Sequence, residues 1–146
     1  APYGVFNAPR LARDVSGDFA IEARVLQVDH HRQALREGAP FRAAGLVYWV
    51  DKDHFVRLER VASFRGPEET SYLFYARAQN GQEERQPETS VGGVPISLKL
   101  ERRGGRILAA FSENNGKTWQ DLPALDVSAW PASGQVGVVG CAALGG

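Results

Sequence analysis

The most constraining feature of this sequence is residues 106–122, where an apolar strand pattern runs into a turn and a second strand begins. Apolar side chains recur there at every second position, which is the period of a half-buried strand: Ile107, Ala109 and Phe111. Asn115 and Gly116 follow, a pair typical of tight hairpin turns because both residues tolerate positive φ. Thr118 and Trp119 then begin the returning segment. The sequence therefore predicts a β-hairpin at this place.

The polar residues of this hairpin have the spacing Ser112-x-Asn114-x-Gly116-x-Thr118-Trp119. This spacing resembles the Asp-box hairpin of sialidases and many sugar-active proteins. In that motif a short polar side chain caps the backbone N–H groups of the turn, and the Trp packs back over the hairpin. Asn114 stands where the motif usually has Asp, which keeps the capping geometry and loses the charge-assisted part of the bond. The motif indicates how the hairpin folds and not what it binds.

The rest of the chain also has the pattern of short strands. The predicted strands cover residues 18–28, 45–51, 54–64, 71–79, 95–102, 106–112 and 134–142. Residues 82–91 are predicted to form an exposed edge segment because Pro87 lacks a ladder donor. Residues 8–17 allow a loop or an edge segment, and residues 35–37 allow one helical turn. Many short strands with turns at regular spacing indicate an all-β sandwich or barrel.

Bulk properties narrow the class of protein. The 146 residues suffice for one β-sandwich domain, and the net charge of zero argues against a nucleic-acid or anionic membrane surface. The apolar runs are too short to span a bilayer. The single cysteine, Cys141, excludes an internal disulfide. The chain begins with Ala1 and lacks methionine, which predicts a processed or excised segment of a larger protein and favours an extracellular or periplasmic location.

Four segments together resemble the concanavalin-A-like lectin/glucanase superfamily, and most closely its bacterial domains of unknown function, often appended to sugar-active or signalling proteins. They are residues 17–24, 44–58, 98–104 and 111–119, and the resemblance extends over roughly residues 8–143. It implies a jelly-roll β-sandwich of two curved antiparallel sheets with a concave face. This fold hosts lectins, hydrolases and interaction modules, so the resemblance implies no single activity.

Carboxylates are the first candidates for chemistry, because glycoside hydrolysis requires two of them, about 5–5.5 Å or about 6.5–9.5 Å apart. The laminarinase-type branch of the superfamily carries them on one strand as Glu-x-Asp-x-x-Glu, a string that this sequence lacks. Strand parity would allow Glu22, Glu59 and Glu101 to share the concave face. Basic residues have the same parity: Arg24, Arg57, Arg77 and Lys99. A lattice of cross-strand ion pairs is therefore favoured over catalysis.

Two clusters contain residue types that can bind metals. They are Asp29 with His30 and His31, and Asp51 and Asp53 with His54. Neither has the ligand spacing of a zinc or calcium site, so ordinary loop polarity is favoured and no cofactor is predicted. Lectins of the superfamily often carry calcium at a rim loop. The resemblance therefore leaves Asp51 and Asp53, which flank a turn, as calcium candidates.

Aromatic residues give the better indication of binding, because the apolar C–H faces of sugars stack on Trp and Tyr rings. Strand parity places two such rings on the concave sheet beside polar groups, and core burial of Trp49 is an equally weighted alternative. The predicted ligand-binding set is Trp49, Arg57, Glu59, Tyr75, Arg77 and Lys99. Other rings are assigned to core or hairpin packing: Tyr48, Phe55, Tyr72, Phe74 and Trp119.

Two hypotheses of function follow, with a glycoside hydrolase as a third. The first is a non-catalytic carbohydrate-binding, lectin-like module, and its partner is a carbohydrate. The second is a structural or protein-interaction domain whose partner is a neighbouring protein domain. The first predicts an exposed Trp49 or Tyr75 bordering a groove, whereas the second predicts both rings buried and no groove.

Overall fold

Twelve β-strands make up the secondary structure of a computed structural model that describes residues 10–25, 41–65, 68–92 and 94–143. The structural statements that follow concern these residues. The Asp29-His30-His31 cluster and the helical turn predicted over residues 35–37 lie outside them. In the described ranges, no helix is long and apolar enough to cross a membrane.

The strands form two sheets in which every pair is antiparallel. The first is seven-stranded, with β1 (Arg10–Ser16), β12 (Ser133–Ala143), β3 (Phe41–Asp51), β4 (His54–Arg65), β5 (Glu68–Gln79) and β6 (Gln82–Arg85) in that order, and β7 (Thr89–Ser90) also pairs with β5. The second is five-stranded, with β10 (Gln120–Asp121), β9 (Arg106–Ser112), β8 (Ile96–Arg103) and β2 (Phe19–Val25) in that order, and β11 (Leu125–Asp126) also pairs with β9. This arrangement confirms the predicted jelly-roll β-sandwich of two curved antiparallel sheets.

The main core lies between the two sheets, because alternate residues of each strand point inward. Leu46 and Leu58 face inward from the larger sheet, and Leu98 and Leu100 from the smaller, and all four are fully buried. Burying such a side chain stabilises the fold by about 1.5–3 kcal/mol. The apolar alternation in the sequence therefore has a direct counterpart in the packing of the sandwich.

A buried arginine ties the two sheets to the β11–β12 connection. The Arg102 guanidinium, on β8, donates to the Tyr48 hydroxyl on β3 and to the Pro131 carbonyl, both at 2.7 Å. The Tyr48 ring lies 4.7 Å from the Phe19 ring and 6.1 Å from the Trp130 ring, measured between centroids. Because a buried guanidinium is unfavourable unless its N–H groups are bonded, these contacts fix the path of the connection.

The structure refines three strand predictions. Where residues 8–17 allow a loop or an edge segment, the structure has an edge strand, β1, which pairs with β12. The predicted edge segment at residues 82–91 is two short strands, β6 and β7, separated by a gap that contains Pro87. The two-residue strand β11 is not predicted, since a pair of residues carries no periodicity.

The predicted hairpin has a polar network at its turn. The Ser112 hydroxyl oxygen accepts hydrogen bonds from the backbone N–H groups of Asn114 (3.3 Å) and Gly116 (2.9 Å). The Asn114 side-chain oxygen accepts from the Thr118 N–H at 2.9 Å, and its amide nitrogen donates to the Thr118 hydroxyl at 2.7 Å. Asn115 and Gly116 have φ values of 63° and 84°. Backbone N–H groups of the turn are thus capped by short polar side chains, as the spacing predicts.

Candidate functional site

One cross-strand row on the seven-stranded sheet brings together a carboxylate, an amide and two aromatic rings. Asp14 on β1 pairs with Gln135 on β12, Gln135 pairs with Trp49 on β3, and Trp49 pairs with Phe55 on β4. Chain neighbours of these residues point into the core: Tyr48, Val56 and Val136. By alternation the row therefore lies on the opposite side of the sheet, called the outer face below.

A pocket of about 740 Å³, open to solvent, adjoins this row at the edge of the sheet where β1 and β3 end and β12 begins. The described residues that line it are Asp14, Val15, Ser16, Trp49, Val50, Ser133, Gly134 and Gln135. Trp49 is half-buried and stacks on Phe55, with 5.2 Å between ring centroids and 19° between ring planes. The indole is thus held in a fixed orientation by an aromatic neighbour while it lines the pocket.

The polar groups of the pocket are oriented by one another. The Gln135 amide nitrogen donates to Asp14 Oδ1 at 3.1 Å, which leaves the amide oxygen of Gln135 as an acceptor. The β3–β4 register shifts between Trp49 and Asp51, a β-bulge directly beside the indole. Bulges often lie next to sites because they redirect a side chain. Trp49 is therefore the last regularly paired residue of β3 before the bulge.

A buried ion pair lies further along the outer face, on β4. Arg57 Nε donates to Glu59 Oε1 at 2.9 Å, and a second guanidinium nitrogen is 3.4 Å from Oε2. The same guanidinium lies 3.3 Å from a Glu83 carboxylate oxygen and 4.6 Å from the centroid of the Phe74 ring. Only 1% of Glu59 and 6% of Arg57 is exposed. Arg57 and Glu59 therefore share the outer face with Trp49, but they mainly satisfy each other.

The prediction that Tyr75 shares a surface with Trp49 is wrong. Tyr75 pairs with Leu58 across β4 and β5, and therefore points into the core, where it is 2% exposed. Its hydroxyl donates to the Pro123 carbonyl at 2.9 Å, and burial raises the pKa of this phenol. Strand parity without register cannot distinguish the two faces of β5, because both carry aromatic residues.

Arg77 also lies on the inner face, so its predicted place beside Arg57 is wrong. It pairs with Val56, a core residue, near the end of β5. Its guanidinium donates to the Asp126 carbonyl at 2.6 Å and forms a 2.7 Å ion pair with Glu84. A charged residue can occupy the inner face here because the rim of the sandwich supplies a carbonyl and a carboxylate.

Lys99 lies on the other sheet, so its predicted place beside Trp49 is wrong as well. It belongs to β8 and is paired with Glu22 of β2 and Ala110 of β9. Its ammonium nitrogen lies 4.2 Å from the centroid of the Trp119 ring, which belongs to the hairpin. Lys99 is thus part of hairpin packing on the outer side of the five-stranded sheet.

The three glutamates predicted to share a face are likewise divided. Glu59 is on the outer face of the seven-stranded sheet, whereas Glu22 and Glu101 flank Lys99 by alternation and pairing on the five-stranded sheet. Two packed sheets separate these surfaces, so Glu59 forms no catalytic pair with either of the others. Glu101 instead forms an ion pair with Arg103, in which Arg103 Nε lies 2.8 Å from Glu101 Oε2. This contact raises the pKa of the Arg103 guanidinium.

The calcium candidates belong to a turn with internal bonds. Asp51 Oδ1 accepts from the Asp53 backbone N–H at 2.8 Å and lies 2.9 Å from His54 Nδ1, and the His54 contact lowers the pKa of Asp51. Calcium takes six to eight oxygen ligands. Among the residues that the structure describes, no group of three or more His, Cys, Asp or Glu side chains could hold a metal ion. The donors at this turn do not fit calcium.

Sequence reasoning missed most of the polar residues around Trp49. Asp14 lies in a segment where a loop was an allowed alternative, and Ser16 and Ser133 lie at strand ends without any pattern of their own. Gln135 carried the one available signal, because it is a polar residue inside an otherwise apolar strand. The neighbour relation of β1, β12 and β3 brings these residues together, and strand order is not readable from periodicity.

Solved structures of other proteins share this two-sheet architecture. A functionally unknown protein from Saccharomyces cerevisiae superposes with a TM-score of 0.71 at 16% identity, over 94% of this chain and 69% of that chain. A xylan β-1,4-xylosidase from Bacillus halodurans gives a TM-score of 0.61 at 14% identity, over 85% and 24% of the two chains. The chain has a concanavalin-A-like fold.

A variant of the GH43 protein BlXynB from Bacillus licheniformis gives a TM-score of 0.60 at 11% identity, over 87% of this chain and 25% of that chain. The chain thus spans about a quarter of each of these two Bacillus proteins. At such identities the likeness shows the fold alone. No protein-family model matches the chain, and no curated protein sequence does so either.

Proposed function

We propose that this protein is a non-catalytic carbohydrate-binding module and that it binds sugar at the pocket beside Trp49. The observation that supports the proposal is the cross-strand row of Asp14, Gln135 and Trp49, which adjoins an open pocket of about 740 Å³. One of the similar folds belongs to a xylan β-1,4-xylosidase, but at 14% identity that likeness carries no function. The proposal therefore rests on the pocket.

The residue types in the pocket suit a sugar ring. The half-buried indole of Trp49 forms an apolar part of the pocket wall, which suits the C–H groups of a pyranose, and its stacking on Phe55 fixes the orientation of the ring. Asp14 and Gln135 offer acceptors to hydroxyl groups, and Ser16 and Ser133 offer hydroxyls that both donate and accept. Pockets with an aromatic wall and a few convergent polar groups are typical of small-molecule sites.

The proposed site is shallow and polar, so we expect weak binding. A sub-millimolar to millimolar Kd corresponds to about 4–6 kcal/mol of binding free energy. Of the residues predicted from the sequence to bind, Trp49 keeps that role in the proposal. Arg57 and Glu59 neutralise each other and are assigned to support of the outer face, and Tyr75, Arg77 and Lys99 are assigned to packing.

The test is a glycan array followed by calorimetric titration of the hits with wild type and Trp49→Ala. We expect Trp49→Ala to weaken binding at least about tenfold, which is about 1.4 kcal/mol. Trp119→Ala is the matched control, because it removes a half-buried indole from the other sheet. Hits that bind Trp49→Ala as well as wild type would place the site elsewhere. An array without hits would favour the protein-interaction domain instead.

A further inference from the structure

We infer that two copies of this protein associate through β2, which pairs with β2 of the second copy in antiparallel orientation around a two-fold axis at Ala23. The five-stranded sheets of the two copies then form one continuous sheet. β2 belongs to the other sheet from the strands that line the proposed sugar pocket, so the association does not depend on sugar binding. Three properties of β2 support this pairing: its unprotected edge, its open apolar side and the order of its outward charges.

β2 differs from the other edge strands of the described chain because nothing protects its edge. Proteins usually blunt an edge, with its unpaired backbone N–H and C=O groups, by keeping the strand very short or by turning a charge inward. The edge strands β6, β7, β10 and β11 have two to four residues each. β1 has seven residues but turns Arg13 inward, opposite Val136. β2 also has seven residues, and its inward side chains are all apolar: Phe19, Ile21, Ala23 and Val25.

The sandwich is open beside β2. On the neighbouring strand β8, Ile96, Leu98 and Leu100 are fully buried, whereas the inward side chains of β2 are only half-buried. Across the gap, Val138 of β12 pairs with Leu46 and points inward, yet it is 38% exposed. A groove of about 270 Å³ lies here, and most of the described residues that line it are apolar: Ala12, Arg13, Ile21, Val136, Gly137 and Val138. Exposed apolar surface of this kind is typical of contacts between proteins.

The outward charges of β2 are complementary to themselves. Glu22 and Arg24 are exposed, and the ion pairs of the described residues include neither. In antiparallel pairing around Ala23, Glu22 of each copy lies opposite Arg24 of the other. Ile21 then lies opposite Val25 on the inward side, so apolar residues meet apolar residues. Registers centred on Glu22 or on Arg24 would instead place like charges opposite each other, which is destabilising.

The partner is a second copy because the matching charges both belong to β2. Since each Glu22 meets an Arg24 and each Arg24 meets a Glu22, the contact is the same for both copies. A contact related by a two-fold axis closes at two copies, whereas a head-to-tail contact continues into a fibre. The expected species is therefore a dimer.

The test is sedimentation of the wild type and of charge variants at protein concentrations from about 1 µM to about 500 µM. We expect a reversible equilibrium between monomer and dimer in the wild type. Glu22→Arg and Arg24→Glu each place like charges opposite each other at two positions, so each should weaken dimerisation at least about tenfold. The exchanged variant, with Glu22→Arg and Arg24→Glu together, restores opposite charges at unchanged net charge. It should dimerise within about threefold of the wild type.

Mixing the two single variants tests the register directly. One of them carries two positive charges on β2 and the other two negative charges, so an equimolar mixture should dimerise although neither variant does so alone. Asp121→Arg is the matched control, because it makes the same change of charge at an exposed position on β10, the opposite edge of the same sheet. It should leave the dimer unchanged. Thermal unfolding at the lowest concentration checks that the variants, whose substitutions are all at exposed positions, remain folded.

Four results would overturn the inference. They are a wild type that stays monomeric throughout the range, a dimer that neither single variant weakens, an exchanged variant or mixture that does not restore association, and a loss in Asp121→Arg equal to that in Glu22→Arg. Growth beyond two copies would also overturn it, because a two-fold contact cannot continue. Glycan binding that depends on Trp49 is measured separately, so none of these results bears on the proposed function.

Discussion

At the scale of single residues, the buried charges of the outer face set its chemistry. Arg57 and Glu59 face the same side of β4 and are bonded through two nitrogen–oxygen contacts. Removing one partner of a buried pair leaves the other charge uncompensated, which costs about 3–5 kcal/mol. Glu83 sits at the margin of this cluster, with 22% of its side chain exposed. The two carboxylates therefore differ in how strongly the fold depends on them.

The first prediction follows from that difference. We expect Glu59→Gln to lower the free energy of unfolding by about 3 kcal/mol, the lower end of the range for a broken buried pair, because Glu83 still partly neutralises Arg57. Glu83→Gln should lower it by less than about 1 kcal/mol, as for pairs near the surface. Urea unfolding followed by tryptophan fluorescence measures both. Equal losses in the two variants would show that the burial of Glu59 does not control its energetic role.

The second prediction concerns the cap of the hairpin turn. Asn114→Ala removes the acceptor of the Thr118 N–H and the donor to the Thr118 hydroxyl, so we expect a loss of about 1 kcal/mol in unfolding free energy. Asn114→Asp keeps the acceptor and should lose less. Thermal unfolding of the two variants and the wild type decides the order. A loss for Asn114→Asp as large as that for Asn114→Ala would mean that the donor to Thr118, and not the cap, carries the stabilisation.

At this scale the sequence was informative wherever a residue acts through its immediate neighbours along the chain. The hairpin network spans only seven residues, from Ser112 to Thr118, so its spacing is visible in the sequence. Tyr75 and Arg77 were assigned to the wrong face because their partners are distant in sequence. The Tyr75 hydroxyl bonds to a carbonyl 48 residues away, and Arg77 to one 49 residues away. No local pattern reports such partners.

At the scale of strands, the β3–β4 pair depends on one glycine. Gly45 lies opposite Glu59, and a Cβ placed on it would approach the Leu58 carbonyl oxygen to 2.0 Å and the Glu59 Cα to 2.7 Å. Both of these atoms belong to the backbone of β4, so neither can move aside without disturbing the ladder. Gly140 on β12 differs, because a Cβ there meets only the Ala43 carbonyl oxygen at 3.9 Å.

The third prediction compares these two glycines. We expect Gly45→Ala to prevent folding or to lower the free energy of unfolding by more than about 3 kcal/mol, since the clash is with backbone atoms. Gly140→Ala should be neutral or stabilising by up to about 1 kcal/mol, because alanine reduces the entropy of the unfolded chain. Soluble yield and urea midpoints distinguish the two. A Gly45→Ala variant as stable as Gly140→Ala would mean that β3 and β4 can separate locally without loss.

At the scale of the whole molecule, the middle of the seven-stranded sheet, on β3, β4 and β5, is buried on both sides. Val47, Phe55 and Ala76 face away from the main core and are nonetheless at most 3% exposed. A sheet with one solvated face produces a clean alternation of apolar and polar residues, and a sheet buried on both faces does not. Turn signals and strand lengths therefore sufficed to predict the sandwich, whereas the face of each side chain needed the register.

The final prediction concerns turnover and depends on the arrangement of both sheets. Glycoside hydrolysis needs two carboxyl groups on either side of one scissile bond, about 5–9.5 Å apart. Here Glu59 is held by Arg57 on one outer surface, and Glu22 and Glu101 lie on the opposite one. In the proposed pocket, Asp14 is the one carboxylate among the described lining residues, and a single carboxylate cannot serve as both acid and base or nucleophile.

We therefore expect no release of reducing sugar from xylan, β-glucan or a glucosamine polymer above the level of heat-denatured protein. The assay should be run with wild type, Asp14→Asn and Glu101→Gln, since Asp14 is exposed and Glu101 is half-buried with an exposed partner, Arg103, so both variants should fold. Turnover by wild type that is absent from Asp14→Asn would mean that the pocket obtains a second acid from a residue near Trp49. Turnover absent from Glu101→Gln would instead move the reactive surface to the five-stranded sheet. Either result would contradict a purely binding role, because a shallow site with one carboxylate can hold a sugar but cannot protonate and attack the same glycosidic bond.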